Sequence, residues 1–112
     1  MADLKTVSLG ALTSDGSTPW KQITPSHRNP DGYVNIRIPK DSLGGGTLTI
    51  EGSLDAATEY SLGDGAEFLD DSGSVNLYLL VGEYIRATLV NSTSPSIEPL
   101  IVLHGTNTQL GG

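Results

Sequence analysis

His27 and His104 are the two side chains of this chain whose ordinary pKa lies near neutrality, and so the two suited to passing a proton at physiological pH. Serine and aspartate are plentiful enough for a Ser–His–Asp set to be drawn around either. Yet there is no Gly-x-Ser-x-Gly elbow and no His-Glu-x-x-His pair, so neither a nucleophile nor a zinc pair is spaced for its chemistry. A loop histidine and a strand-end histidine are the preferred reading. Gly44-Gly45-Gly46 would suit a phosphate, but a phosphate loop needs Lys-Ser/Thr after its glycines and then a helix. Here Lys40 comes before them and Thr47 opens a strand, so the run reads as a flexible loop.

Asp64, Glu67, Asp70 and Asp71 gather between Gly63, Gly65 and Gly73, and hard oxygen donors on a glycine-rich loop are what calcium takes. The Asp-x-Asp-x-Asp-Gly order of the calcium loop is missing, and solvated acidic turns are the better reading. The expectation is no metal, no cofactor and no enzymatic activity. Asn91-Ser92-Thr93 fits a glycosylation sequon, read as accidental beside an N-terminus, Met1-Ala2-Asp3-Leu4-Lys5, that is no signal-peptide start. The few aromatic residues offer more. Trp20, Tyr33 and Tyr84 could stack on sugar rings, or they could pack, with Arg86, in a subunit interface, where aromatic residues and arginine are enriched. The interface is preferred.

Whatever these residues do must be done from one small scaffold. The chain has 112 residues and 11.7 kDa, which allows one domain with one core. Thirteen acidic residues against six basic ones give a net charge of −7, which argues against nucleic acid, since phosphate is met mainly by Lys and Arg. Charged residues are 17% and hydrophobic residues 37%, a folded composition. The absence of cysteine excludes disulfides, cysteine-based zinc sites and thiol chemistry. No apolar run approaches the roughly 20 residues of a membrane helix, so no membrane partner is expected, and synthesis in the cytoplasm is.

Fourteen glycines and six prolines cut the chain into pieces too short for a helix of several turns. The pieces alternate with period two, which predicts half-buried strands. Val34, Ile36 and Ile38 share one face, with Tyr33, Asn35 and Arg37 on the other; Leu48, Ile50 and Leu54 oppose Thr47, Thr49, Glu51 and Ser53. Ser74 to Val81 and Tyr84 to Asn91 read as an antiparallel hairpin turning at Gly82-Glu83, with Ile85, Ala87 and Leu89 inward and Tyr84, Arg86 and Thr88 outward. Ile97 to His104 is the last strand, with an edge or bulge at Pro99. Leu77, Leu79, Val81, Ile101 and Leu103 join the expected core. Leu4 to Leu12 reads as a strand broken by Gly10, Ser14 to Ser17 as a turn, Trp20 to Thr24 as a short strand, and Pro25 to Gly32 as a loop; a further strand lies around Glu59-Tyr60. The whole predicts a single antiparallel β-sandwich, jelly-roll-like, of about eight strands. Within one domain, 1–31 forms an N-terminal arm or first strands with a loop, 32–104 the sandwich core, and 105–112 a flexible tail.

Two stretches carry a resemblance. Ile50-Glu51-Gly52-Ser53-Leu54-Asp55 followed by Tyr60, and Val81-Gly82 followed by Tyr84-Ile85-Arg86-Ala87, resemble elements of small β-sandwich structural proteins of tailed bacteriophages, head-decoration proteins among them. Jelly-roll carbohydrate-binding modules are similar at a greater distance. The resemblance covers about residues 32 to 104, and Ala56 stands where its pattern has a turn glycine. It implies a capsid decoration or cement protein on the virion surface, made in the host cytoplasm, whose partners are the major capsid protein shell and itself, as a homotrimer. Such a protein stabilises the shell by binding the assembled state and not the free subunits. The segment Met1 to Leu12, with Leu4, Val7 and Leu9, is then a candidate arm for touching the shell, or else an ordinary first strand. A carbohydrate-binding module and a phage tail or neck component are the alternatives.

Overall fold

A computed structural model describes residues 5–38 and 42–103; Leu4, Lys40, His104 and the tail at 105–112 lie outside the described residues. Ten strands are described: β1 (Thr6–Ser8), β2 (Gly16–Ser17), β3 (Lys21–Gln22), β4 (Tyr33–Ile38), β5 (Thr47–Ser53), β6 (Glu59–Ser61), β7 (Glu67–Phe68), β8 (Gly73–Tyr78), β9 (Tyr84–Val90) and β10 (Leu100–Val102). All their pairings are antiparallel, and they form a β-sandwich. One sheet has the order β1-β10-β4-β8. The other is built on the long β5–β9 pair, with β2 and β3 on the far side of β9 and β6 and β7 on the far side of β5.

The alternation read from the sequence sets the two inner faces. Val34, Ile36 and Ile38 of β4, Leu77 of β8 and Ile101 of β10 meet Leu48 and Ile50 of β5 and Ile85, Ala87 and Leu89 of β9 in one buried cluster. Burying a side chain of this size is worth about 1.5–3 kcal/mol, so this cluster is the main source of cohesion. The first residues are woven into it, since β1 joins the first sheet and β2 and β3 the second.

Several expectations are corrected. The runs on either side of Gly82 do not form a hairpin: β8 pairs with β4 and β9 with β5, so the chain crosses from one sheet to the other through Leu79–Glu83. Both runs have a face to bury, and two faces bury each other when they oppose, not when they lie side by side. The crossing is held by Ile23, whose N–H donates to the Glu83 carbonyl over 2.7 Å and whose carbonyl accepts from Gly82 over 2.9 Å. Leu79 plugs the core there, while Val81, expected inside, is 49% exposed because the chain has already left the sheet. Leu54 is 74% exposed, not core, and Ser53 of the supposed polar face is fully buried. β5 ends at Ser53, and the inner position beyond Ile50 belongs to Gly52, covered by the ring of Tyr60.

Gly16–Ser17, read as part of a turn, pairs with β9. Pro99 does not mark an edge, since β10 lies between β1 and β4, but the ladder is interrupted there by a bulge, as expected: the bridges of Ser96 and Ile97 stop before it, β10 begins after it, four steps from Ser8 to Leu12 span three from Leu100 to Ile97, and the Pro99 carbonyl accepts from Leu9 N–H over 2.9 Å. Gly44 and Gly46 are closely packed, while Gly45 between them faces open space. A Cβ at Gly44 would stand 2.3 Å from the Thr93 carbonyl oxygen and one at Gly46 2.5 Å from that of Val90, so the run lets two backbones touch.

Candidate functional site

Two outer faces carry the candidate residues. On the β5–β9 sheet, Ser17 pairs with Thr88 and Lys21 with Ile85, so four steps of the N-terminal segment span three steps of β9. The extra residue is a bulge at Pro19–Trp20, and bulges re-aim side chains. Thr18 fastens it, donating from N–H to the Ala87 carbonyl and accepting Ala87 N–H on Oγ1, each over 2.9 Å. The indole is thereby laid beside Arg86, whose guanidinium carbon is 4.4 Å from the ring centroid.

Arg86 is fully engaged in holding this face together. Its Nε donates to Glu51 Oε1 over 2.8 Å and its Nη2 to Glu59 Oε2 over 2.6 Å, joining β9, β5 and β6. Thr88 donates to the same Glu51 oxygen over 2.7 Å and shares a hydrogen bond with Ser17 over 2.7 Å. A half-buried arginine with two carboxylates and an aromatic lid is a clamp on four strands.

The outer face of the other sheet is different in kind. Tyr33 and Tyr78 oppose each other across the β4–β8 ladder, with ring centroids 5.7 Å apart and planes at 76°. Arg28 lies against Tyr78, its guanidinium carbon 5.9 Å from the centroid, and its Nε has no hydrogen-bond partner. Below the tyrosines, Asn35 donates to Asn76 over 2.7 Å and Arg37 Nε to Asn35 over 2.6 Å. Tyr33, Tyr78, Leu80 and Val81 are all exposed, and they sit at the end of the sandwich where β8 leaves for β9. This is an apolar rim at one end of the sandwich, apart from the exposed Leu54, Leu69 and Val90 elsewhere in the chain.

The four candidates for stacking or interface therefore separate. Trp20 and Arg86 are together; Tyr84, half-buried, is on their sheet, next to Ile85; Tyr33 is on the outer face of the opposite sheet. Tyr33 and Tyr84 cannot form one platform. The partner of Tyr33 is Tyr78, which sequence reading had not singled out, although two tyrosines on polar positions of alternating strands were the available signal. Val7 is half-buried against the core and Leu9 is buried within it, which leaves neither side chain free to reach a shell.

The remaining polar groups serve the backbone. His27 is buried in a single 3-10 turn, Pro25–His27, and its Nδ1 accepts Thr24 N–H over 3.0 Å. Burial, then the nearby Lys21, lowers its pKa. Asp55 accepts from Ser53 Oγ and from the N–H groups of Ala57 and Thr58, and these bonds, led by the one from Thr58, hold its carboxyl at about 2. Asp15 accepts from the Ser92 hydroxyl, the Ser92 N–H and the Asn91 N–H, which lower its pKa and tie β2 to the turn after β9. Asp71 accepts Leu43 N–H over 2.9 Å. Among the described residues no three His, Asp or Glu side chains converge as a metal site would require. A shallow depression of about 580 Å³ lies on the tyrosine-bearing sheet beside Arg37, Ser74, Leu100 and Val102, open to solvent. Comparison with protein-family models, with curated proteins and with solved structures finds no match to this chain.

Proposed function

We propose that the chain is a structural protein of a tailed-bacteriophage virion, most specifically a decoration protein that binds the outside of the assembled head and stabilises it. The observation that supports this reading is the exposed apolar rim of Tyr33, Tyr78, Leu80 and Val81 at one end of the sandwich. Such a surface suits association. A net charge of −7 keeps free copies soluble and repels packaged DNA. The mechanism is linkage: a protein that binds the assembled shell and not free subunits raises the free energy of disassembly.

The test is co-sedimentation of the purified chain with expanded heads, followed by thermal disruption of loaded and unloaded heads. The expected result is saturable binding and a higher disruption temperature, weakened by Tyr78→Ser with Val81→Ser. Binding to tails in place of heads would move the protein along the virion. Binding to polysaccharide, lost on Tyr33→Ala, would transfer it to the carbohydrate-binding class.

A further inference from the structure

Among the described residues the edges of the two sheets are unequal. β1, β2, β3, β6 and β7 are two or three residues long, and short edges are a defence against pairing with other chains. β8 is an edge of six residues, Gly73–Tyr78, paired along its whole length with β4 in an unbroken register. It has no bulge, no proline and no charged side chain, in a chain with nineteen charged residues. The turn at Asp64–Ala66 and the following β7 lie beside it, with Ala66 and Phe68 buried in the core, yet among the described residues no backbone hydrogen bond reaches the outer side of β8.

The ladder says which groups that edge presents. Leu79 N–H donates to the Gly32 carbonyl, and these two residues are opposite each other in the β4–β8 register. Alternate backbone groups of an antiparallel strand point to opposite neighbours, so Gly73, Val75 and Leu77 bond to β4 while Ser74, Asn76 and Tyr78 direct N–H and C=O outward.

We propose that β8 pairs with β8 of a second copy, antiparallel, about a two-fold axis at Asn76. In that register Asn76 faces its own counterpart and Ser74 faces Tyr78, so every outward N–H and C=O of the strand finds a partner. The two four-stranded sheets become one continuous sheet. Charge supports the second copy as occupant. Arg28 stands at the Tyr78 end of the strand and Asp70 and Asp71 precede its Gly73 end. Antiparallel pairing brings the cationic end of each copy toward the acidic end of the other. Elsewhere two copies of a −7 chain repel, and this uncharged strand is where they can approach. The exposed Tyr78 and Leu80 adjoin the seam and lose water there. The pairing goes beyond the proposed function, with a two-fold pair in place of the trimer that the resemblance implies, and shell binding does not depend on it.

The experiment is solution mass by light scattering across a dilution series, for the wild type, Asn76→Lys, Asn76→Glu and an equimolar mixture of the two variants. The wild type is expected at twice 11.7 kDa, falling to a single copy on dilution. Each variant sets like charges opposite each other at the axis and is expected to pair at least about tenfold more weakly. Their mixture is expected to recover the paired mass. Amide hydrogen exchange of the wild type supplies a readout that needs no variant: the Ser74, Asn76 and Tyr78 amides slow as concentration rises. A wild type that stays single at every concentration, a trimer, an Asn76→Lys that pairs as well as the wild type, or outward amides that exchange freely throughout would each overturn the pairing. A protein that binds heads as a single copy would lose this inference and keep the proposed function.

Discussion

The ring of Tyr60 stands where Gly52 has no side chain: a Cβ on Gly52 would lie 2.8 Å from the ring, and the two residues are opposite each other across the β5–β6 ladder. The tyrosine fills the inner face of β5 at that point, and its hydroxyl donates to Glu83 Oε1 over 3.0 Å. Glu83 Oε2 in turn accepts Leu80 N–H over 3.3 Å, so one residue pair in a sheet steadies the crossing between sheets.

Gly52→Ala should therefore cost about 1–3 kcal/mol, the usual penalty of overpacking a closed site. Urea denaturation of the two proteins checks it. An unchanged midpoint would mean that Tyr60 swings aside without loss.

Ala56 has φ +60, a left-handed conformation in which its Cβ is crowded by the backbone, and Asp55 holds the turn there. An alanine thus stands in a conformation that favours glycine. Ala56→Gly should stabilise the protein by about 0.5–1 kcal/mol, the relief of left-handed strain being partly offset by the greater freedom of glycine when unfolded. Thermal melting of Ala56→Gly beside the wild type measures this, and a lower melting temperature would refute the assignment of strain.

The Arg86 clamp has its own reporter, since Trp20 is the single tryptophan of the chain. Arg86→Lys keeps the charge but not the planar fork or the stacking face. A loss of about 1 kcal/mol is expected, with a red shift of the native tryptophan emission as water reaches the ring. Emission identical to that of the wild type would show that the indole does not depend on the guanidinium.

His27 makes stability depend on pH near neutrality. Its pKa is lowered on folding, first by burial and then by Lys21, and a protonated Nδ1 could not accept from Thr24. Between the lowered folded value and the ordinary 6.5 the unfolded chain binds the extra proton. The contribution of His27 is thus full above 6.5 and is lost as the pH falls below it. Denaturation midpoints of the wild type should drop from pH 7.5 to pH 5.5, and His27→Gln should remove most of that slope. Asp55, held at about 2, adds a second loss only at much lower pH, as it is protonated below its ordinary 3.8.

Much of the sandwich was legible before any coordinates. Alternation at 34–38, 47–50 and 84–90 named the inner and outer residues of β4, β5 and β9, because a pleated strand has period two and one face must be dry. Composition likewise excluded helices and disulfides. Pairing was not legible. Period two tells which side of a strand is buried and is silent on which strand lies beside it; β8 and β9, adjacent in sequence, went to different sheets, and β5 found β9 across thirty intervening residues. The same holds for the surface. Tyr33, Tyr84 and Arg86 were all marked as outward, but outward has two directions in a sandwich. Only the closing of one sheet over the other decided that Trp20 meets Arg86, that Tyr33 meets Tyr78, and that the long edge left over is β8. Local periodicity is a property of the backbone and can be read along it, whereas partners are set by the packing of faces that are far apart in the chain.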